Sequence, residues 1–140
     1  MGSLGTFLKR RGKAKYRANI AKGEAAEERV IKACMRESRP WWLLEAKRTA
    51  RYSVLDCAGV DVCVVMADLG TMRLQVKSSD AAAEAFNARI KPGAKPIGVV
   101  VIKPEDDDNT IYGKVLGTLI LMRETEETRQ HEAKQRRKRQ

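Results

Sequence analysis

The sequence predicts an α/β domain in which helices pack against a mixed β-sheet. Three observations predict it. Residues 59–79, GVDVCVVMADLGTMRLQVKSS, read as a β-hairpin. Residues 22–37 before it carry apolar groups at helical spacing, with Ala26, Val30, Ala33 and Cys34 on one stripe. After it, the helix-forming AAAEAFNARI leads to the apolar run IGVVVI. Helix and strand signals in this succession describe a layered α/β core.

Residues 1–21 form a basic arm, and the domain spans 22–121. Glu24, Glu27 and Glu28 fall in the first turns of the first helix, where carboxylates favour the positive end of the dipole. Arg39-Pro40 ends that helix. Trp41-Trp42-Leu43-Leu44 starts a strand that runs to about Ala46, and its adjacent Trp side chains point to opposite faces. Lys47–Ala58 reads as an irregular basic connection. Ser78-Ser79-Asp80 offers caps for a helix over Ala81–Ile90. Ile97–Ile102 has the pattern of a strand buried on both faces. Glu105–Asn109 reads as an acidic surface loop. Ile111–Leu121 is expected to hold a further strand, kinked at Gly113 or Gly117. Residues 122–140 read as a charged exposed helix fraying into a basic tail.

The hairpin gathers its polar residues at one end. The arm Val60–Ala67 is apolar except for Asp61, and Thr71–Lys77 alternates Met72, Leu74 and Val76 with Arg73, Gln75 and Lys77. Period two puts Gln75 and Lys77 on one face. The turn Asp68-Leu69-Gly70 has a three-residue form with Gly where positive φ is needed. Pairing Ala67 with Thr71 sets Asp61 opposite Lys77 and Cys63 opposite Gln75. A carboxylate in an apolar strand needs a partner or a metal. A purely structural Asp61–Lys77 ion pair is the alternative to a chemical site.

The formal charge is +10, and its placement narrows the partners. Residues 1–22 carry seven Lys/Arg and no acids, residues 122–140 carry seven Lys/Arg against four Glu, and the middle is neutral. Basic ends on a neutral core suit a polyanion, most often nucleic acid. Lys9, Arg10, Arg11, Lys13, Lys15 and Arg17 are candidate phosphate contacts, with Arg48 and Arg51 nearer the hairpin. The three cysteines form no C-x-x-C, and the single His131 leaves no ligand set for zinc and no Ser-His-Asp hydrolase. No apolar run approaches the roughly 20 residues of a membrane span, and the first residues lack a signal core. A reduced, cytoplasmic setting is expected.

Lys22-Gly23-x-x-Ala26-Glu27, Gly59-Val60-Asp61-Val62 and Gln75-Val76-Lys77-Ser78 together resemble the three motifs of the PD-(D/E)xK nuclease superfamily. The small Holliday-junction-resolvase-like members and the restriction or homing endonucleases are the nearest branches. Val60 stands where Pro is usual, and Gln75 where an acid is usual. The resemblance spans roughly Lys22 to Ile102. It implies an αβββαβ restriction-endonuclease-like core with a mixed central sheet flanked by helices.

That resemblance implies an endonuclease hydrolysing DNA phosphodiester bonds with Mg²⁺, for which Mn²⁺ substitutes. It makes Asp61, Glu27, the Gln75 side-chain oxygen and the Val76 carbonyl the metal ligands, hard oxygens of the kind Mg²⁺ prefers. Lys77 orients the attacking water or offsets developing charge, and Ser79 either holds a phosphate or caps its helix. A core this small does not enclose a duplex alone, so a homodimer is expected. RNA stays open as a substrate. The rival readings are an inactive nucleic-acid-binding module of the same fold and an assembly protein whose tails bind RNA.

Overall fold

The structure is a computed structural model that describes residues 23–50, 60–90 and 95–140. Element α1 covers 23–34 and is followed by strands β1 (Leu43–Arg48), β2 (Val62–Met66) and β3 (Gly70–Lys77). Helix α2 (Asp80–Arg89), strand β4 (Ile97–Val101) and a long helix α3 (Asp108–Arg139) complete the chain. The four strands lie in the order β1-β2-β3-β4, antiparallel for the first two pairings and parallel for β3 with β4. The fold is α/β with a mixed sheet, as expected.

One face of the sheet carries the core. Leu43, Val62, Val64, Met66, Met72, Leu74 and Val100 point there, against Val30, Ala33 and Cys34 of α1 and Ile111, Val115 and Leu119 of α3. Each fully buried Val, Leu or Ile contributes about 1.5–3 kcal/mol. Burial pushes the Cys34 thiol up to about 12, so this cysteine is inert. Trp42 enters the core at 9 % exposure while Trp41 stays outside at 73 %, the split expected for adjacent residues.

Several boundaries differ from expectation, each for a local reason. The two Trp lie in a turn, so β1 starts at Leu43 and runs on to Arg48, with a register shift between Leu43 and Glu45. Strand β4 is an edge strand with only Val100 fully buried, not one covered on both faces. Residues 111–121 are helical rather than a kinked strand. Ile111, Val115 and Leu119 recur every fourth residue on the buried stripe of α3, and an added Cβ at Gly113 or Gly117 would meet nothing within 4 Å. Both glycines therefore sit on the open side of a continuous helix.

The acidic loop is drawn into the start of α3. Asp107 Oδ1 accepts from Thr110 N at 2.7 Å as the N-cap. Asp106 Oδ2 accepts from Lys103 N at 2.9 Å and from Lys114 Nζ at 2.7 Å. Arg39 closes α1 by donating to the carbonyls of Met35 (3.1 Å) and Arg36 (2.9 Å).

Gly98 is where α3 passes closest to the sheet. An ideal Cβ there would fall 2.5 Å from Met122 Sδ, 2.9 Å from Thr118 Cγ2 and 3.0 Å from Leu74 Cδ2. Gly98→Val is expected to cost about 1–3 kcal/mol through overpacking, read as a lowered midpoint in urea unfolding. Gly113→Ala, in open space, should leave stability unchanged or raise it slightly.

Candidate metal and nucleic-acid site

Asp61 is held from both neighbouring strands by its backbone. Its N–H donates to Leu74 O, and its carbonyl accepts from Thr49 N, each at 2.9 Å. The β2–β3 ladder runs from Met66↔Gly70 to Val62↔Leu74. The loop is Ala67–Leu69, and Gly70 takes the positive φ of 81° as the first residue of β3. The register therefore lies two residues from the expected one, and Cys63 faces Arg73 rather than Gln75. A slip of two preserves the faces, so the polar residues still gather at the same end.

Past Val62 the strands no longer exchange a regular pair. Asp61 Oδ2 takes over as acceptor for Val76 N, at 2.8 Å. A strand N–H lies near the sheet plane, so this oxygen sits in the gap between β2 and β3. The C=O of a strand residue projects to the same edge as its N–H, which turns the Val76 carbonyl toward Asp61 as well.

Gln75 and Lys77 point away from the core, toward the face that carries α2. Gln75 is 7 % exposed, and its Oε1 has no hydrogen-bond partner among the described residues. Such an orphaned acceptor costs about 1–3 kcal/mol. The Lys77 ammonium lies 5.2 Å from the centroid of the Phe86 ring, a cation–π contact that holds the side chain without neutralising it.

Glu27, on α1, is the carboxylate that feels the Asp61 charge. Burial pushes its carboxyl above the usual range, the Asp61 charge pushes it further, and the Arg48 guanidinium pulls it back. The two carboxylates are thus close enough to repel. Arg48 Nε meets Glu27 Oε2 at 3.0 Å, while Nη2 reaches Glu28 Oε1 at 2.9 Å and Glu24 O at 3.0 Å. A cleft of about 630 Å³ opens beside the site, walled by the first turns of α1 and α2, Val76–Ser78 and Ile102–Pro104.

The remaining expected residues separate clearly. Arg48 is engaged with the acids of α1, not presented as a free phosphate contact. Ser79 caps α2, its Oγ accepting from Ala82 N at 3.1 Å. Lys9, Arg10, Arg11, Lys13, Lys15, Arg17 and Arg51 lie outside the described residues. Among the described residues no three His, Cys, Asp or Glu cluster as a metal cage, so a metal here would rest on two carboxylates, an amide and a carbonyl. The Arg48 bridge was not legible beforehand, because partners on a helix and a strand share no local pattern. Arg73 was legible, being on the same alternation as Gln75 and Lys77.

Compared with models of known protein families, with curated proteins and with solved structures, the chain matches none. Among the described residues no helix is long and apolar enough to cross a membrane.

Proposed function

We propose that this chain is a Mg²⁺-dependent endonuclease of the PD-(D/E)xK type that hydrolyses DNA phosphodiester bonds. The observation that carries the reading is Gln75 Oε1, buried without a hydrogen-bond partner among the described residues, on the residue next to Val76, whose N–H is held by Asp61 Oδ2. A buried oxygen acceptor without a partner among the described residues, and a Glu27 carboxyl raised by burial and by the Asp61 charge, each carry a cost that a hard cation would remove. The order αβββαβ and the mixed sheet support the restriction-endonuclease-like core.

The donors fit a divalent ion: Asp61, Glu27, Gln75 Oε1 and the Val76 carbonyl would hold it. When bound, it would supply the charge that activates water and offsets the scissile phosphate. Asp61 is fixed by Val76 N–H, so its second oxygen is oriented in advance. Arg48 Nε holds Glu27 Oε2 at 3.0 Å, and its charge offsets part of the repulsion from Asp61. Lys77 brings a positive charge to the same end of β3, suited to the negative charge that develops as the phosphodiester is attacked.

The test is cleavage of a labelled four-way junction, a linear duplex and a single strand, each with Mg²⁺, Mn²⁺ or EDTA. Cutting in both metals and none in EDTA is expected, and the preferred substrate names the branch. The amide at Gln75 and the Arg48 bridge on Glu27 favour a second reading, an inactive binding module. Retained DNA binding with no cutting in either metal would select it.

A further inference from the structure

A second cleft, of about 770 Å³, opens near the other end of β3, where β4 has not yet begun to pair. Its wall includes Cys63, Arg73, Lys95, Glu126 and Arg129. The sheet register explains the grouping. Lys47, Cys63 and Arg73 are successive cross-strand partners, so their side chains form one row on the face away from the core. Arg73 is partnered in turn by Ile97, and Lys95 lies just before it.

The charges in this cleft are unequal. Arg129 and Glu126 neutralise each other through bonds of 2.6 and 3.0 Å. Neither Arg73 nor Lys95 has an ion pair among the described residues, so the excess is positive. Arg73 also shares its face with Lys77, four residues along β3. At about 3.3 Å per residue that is roughly 13 Å, about four nucleotides of axial rise along one strand of a duplex.

We infer that this cleft holds the phosphate backbone of the nucleic-acid substrate, with Arg73 and Lys95 as its contacts, several nucleotides from the phosphate at the Asp61–Lys77 end. The inference rests on the nucleic-acid reading above and adds the residues and the direction in which the strand runs. Lys47, exposed and paired with Glu45 at 3.1 Å, extends the row across the sheet. The Glu126–Arg129 pair holds one further cation in reserve.

The test is binding of fluorescently labelled duplex and single-stranded DNA by the full chain in EDTA, followed by anisotropy across a salt series. Arg73→Ala and Lys95→Ala should each weaken binding several-fold and flatten the log K against log salt slope by about 0.9. Glu126→Gln frees Arg129 and should tighten binding, a gain that misfolding does not imitate. Lys32→Ala, which removes one exposed charge from α1, should change little. Equal losses in Arg73→Ala, Lys95→Ala and Lys32→Ala, or no tightening by Glu126→Gln, would overturn the inference.

Cys63 gives an independent reading. In a Cys57→Ser background, with Cys34 fully buried, maleimide labelling of Cys63 should slow under saturating DNA. An unchanged rate would place the DNA elsewhere. Because binding is read in EDTA, a chain that binds through the cleft but never cuts sinks the nuclease proposal alone. A chain that cuts while the cleft variants bind normally sinks only this inference.

Discussion

Asp61→Asn is expected to abolish metal-dependent DNA cleavage, by about 10³-fold or more, while leaving the fold intact. The asparagine oxygen still accepts from Val76 N–H, so the local hydrogen bond at 2.8 Å survives. What disappears is the charge, which on the proposed metal site would be the principal hold on a divalent ion. Stability should change by about 1 kcal/mol or less. Asp61→Ala should lose activity equally but cost more stability, because Val76 N–H then lacks its acceptor. Lys77→Ala should lose about 10²–10³-fold in rate with metal binding kept. If Asp61→Asn cuts DNA at the wild-type rate, Asp61 is a structural strand-end residue and nothing more.

Arg123→Ala is expected to produce the largest loss of stability, about 3 kcal/mol. Arg123 is 8 % exposed and clamps the hairpin turn to α3. Its Nη1 and Nη2 each reach an Asp68 carboxylate oxygen at 2.8 Å, and its guanidinium stacks 4.3 Å from the Trp42 ring centroid. Removing it deletes a bidentate pair, a cation–π contact and packing in one step. Arg123→Met, which keeps a stem against Trp42, should recover part of the loss. Urea unfolding checks both, and a change within about 0.5 kcal/mol for Arg123→Ala would refute the clamp.

The same clamp sets an acid limit. The hydrogen bonds from Arg123 hold the Asp68 carboxyl below the usual range, and those from Lys114 do the same for Asp106. Both folded values are depressed relative to an unfolded Asp near about 3.9. Their contribution is therefore complete above that value and is lost as pH falls through the lower folded values. Wild type should lose stability on acidification below about pH 4, and Arg123→Ala should show a shallower loss, since its Asp68 share is already absent.

The hairpin was legible in the sequence because period-two alternation and Gly70 are local signals. Its register was not, since the turn admits more than one pairing. A two-residue slip left Asp61, Gln75 and Lys77 gathered at one end, because side-chain direction repeats every two residues. The sequence predicts a strand over 111–121 because Gly113, Gly117 and the β-branched residues imitate one, where the structure has helix α3. The decisive pattern, Ile111, Val115 and Leu119 at spacing four, was present and outweighed them once packed. The Asp68–Arg123 clamp joins residues 55 apart, and the Glu27–Arg48 bridge joins a helix to a strand. Neither leaves a trace in local sequence. The motif residues of the candidate site were legible individually, but the orphaned Gln75 oxygen required the fold.

The central claim is that Glu27, Asp61 and Gln75 form one divalent-metal site. Calorimetric titration of Mn²⁺ into wild type and Asp61→Asn tests it without needing the right DNA. One saturable ion per chain in wild type, lost in Asp61→Asn and kept in Lys77→Ala, is the predicted result. No saturable binding in wild type, or equal binding in Asp61→Asn, would contradict it.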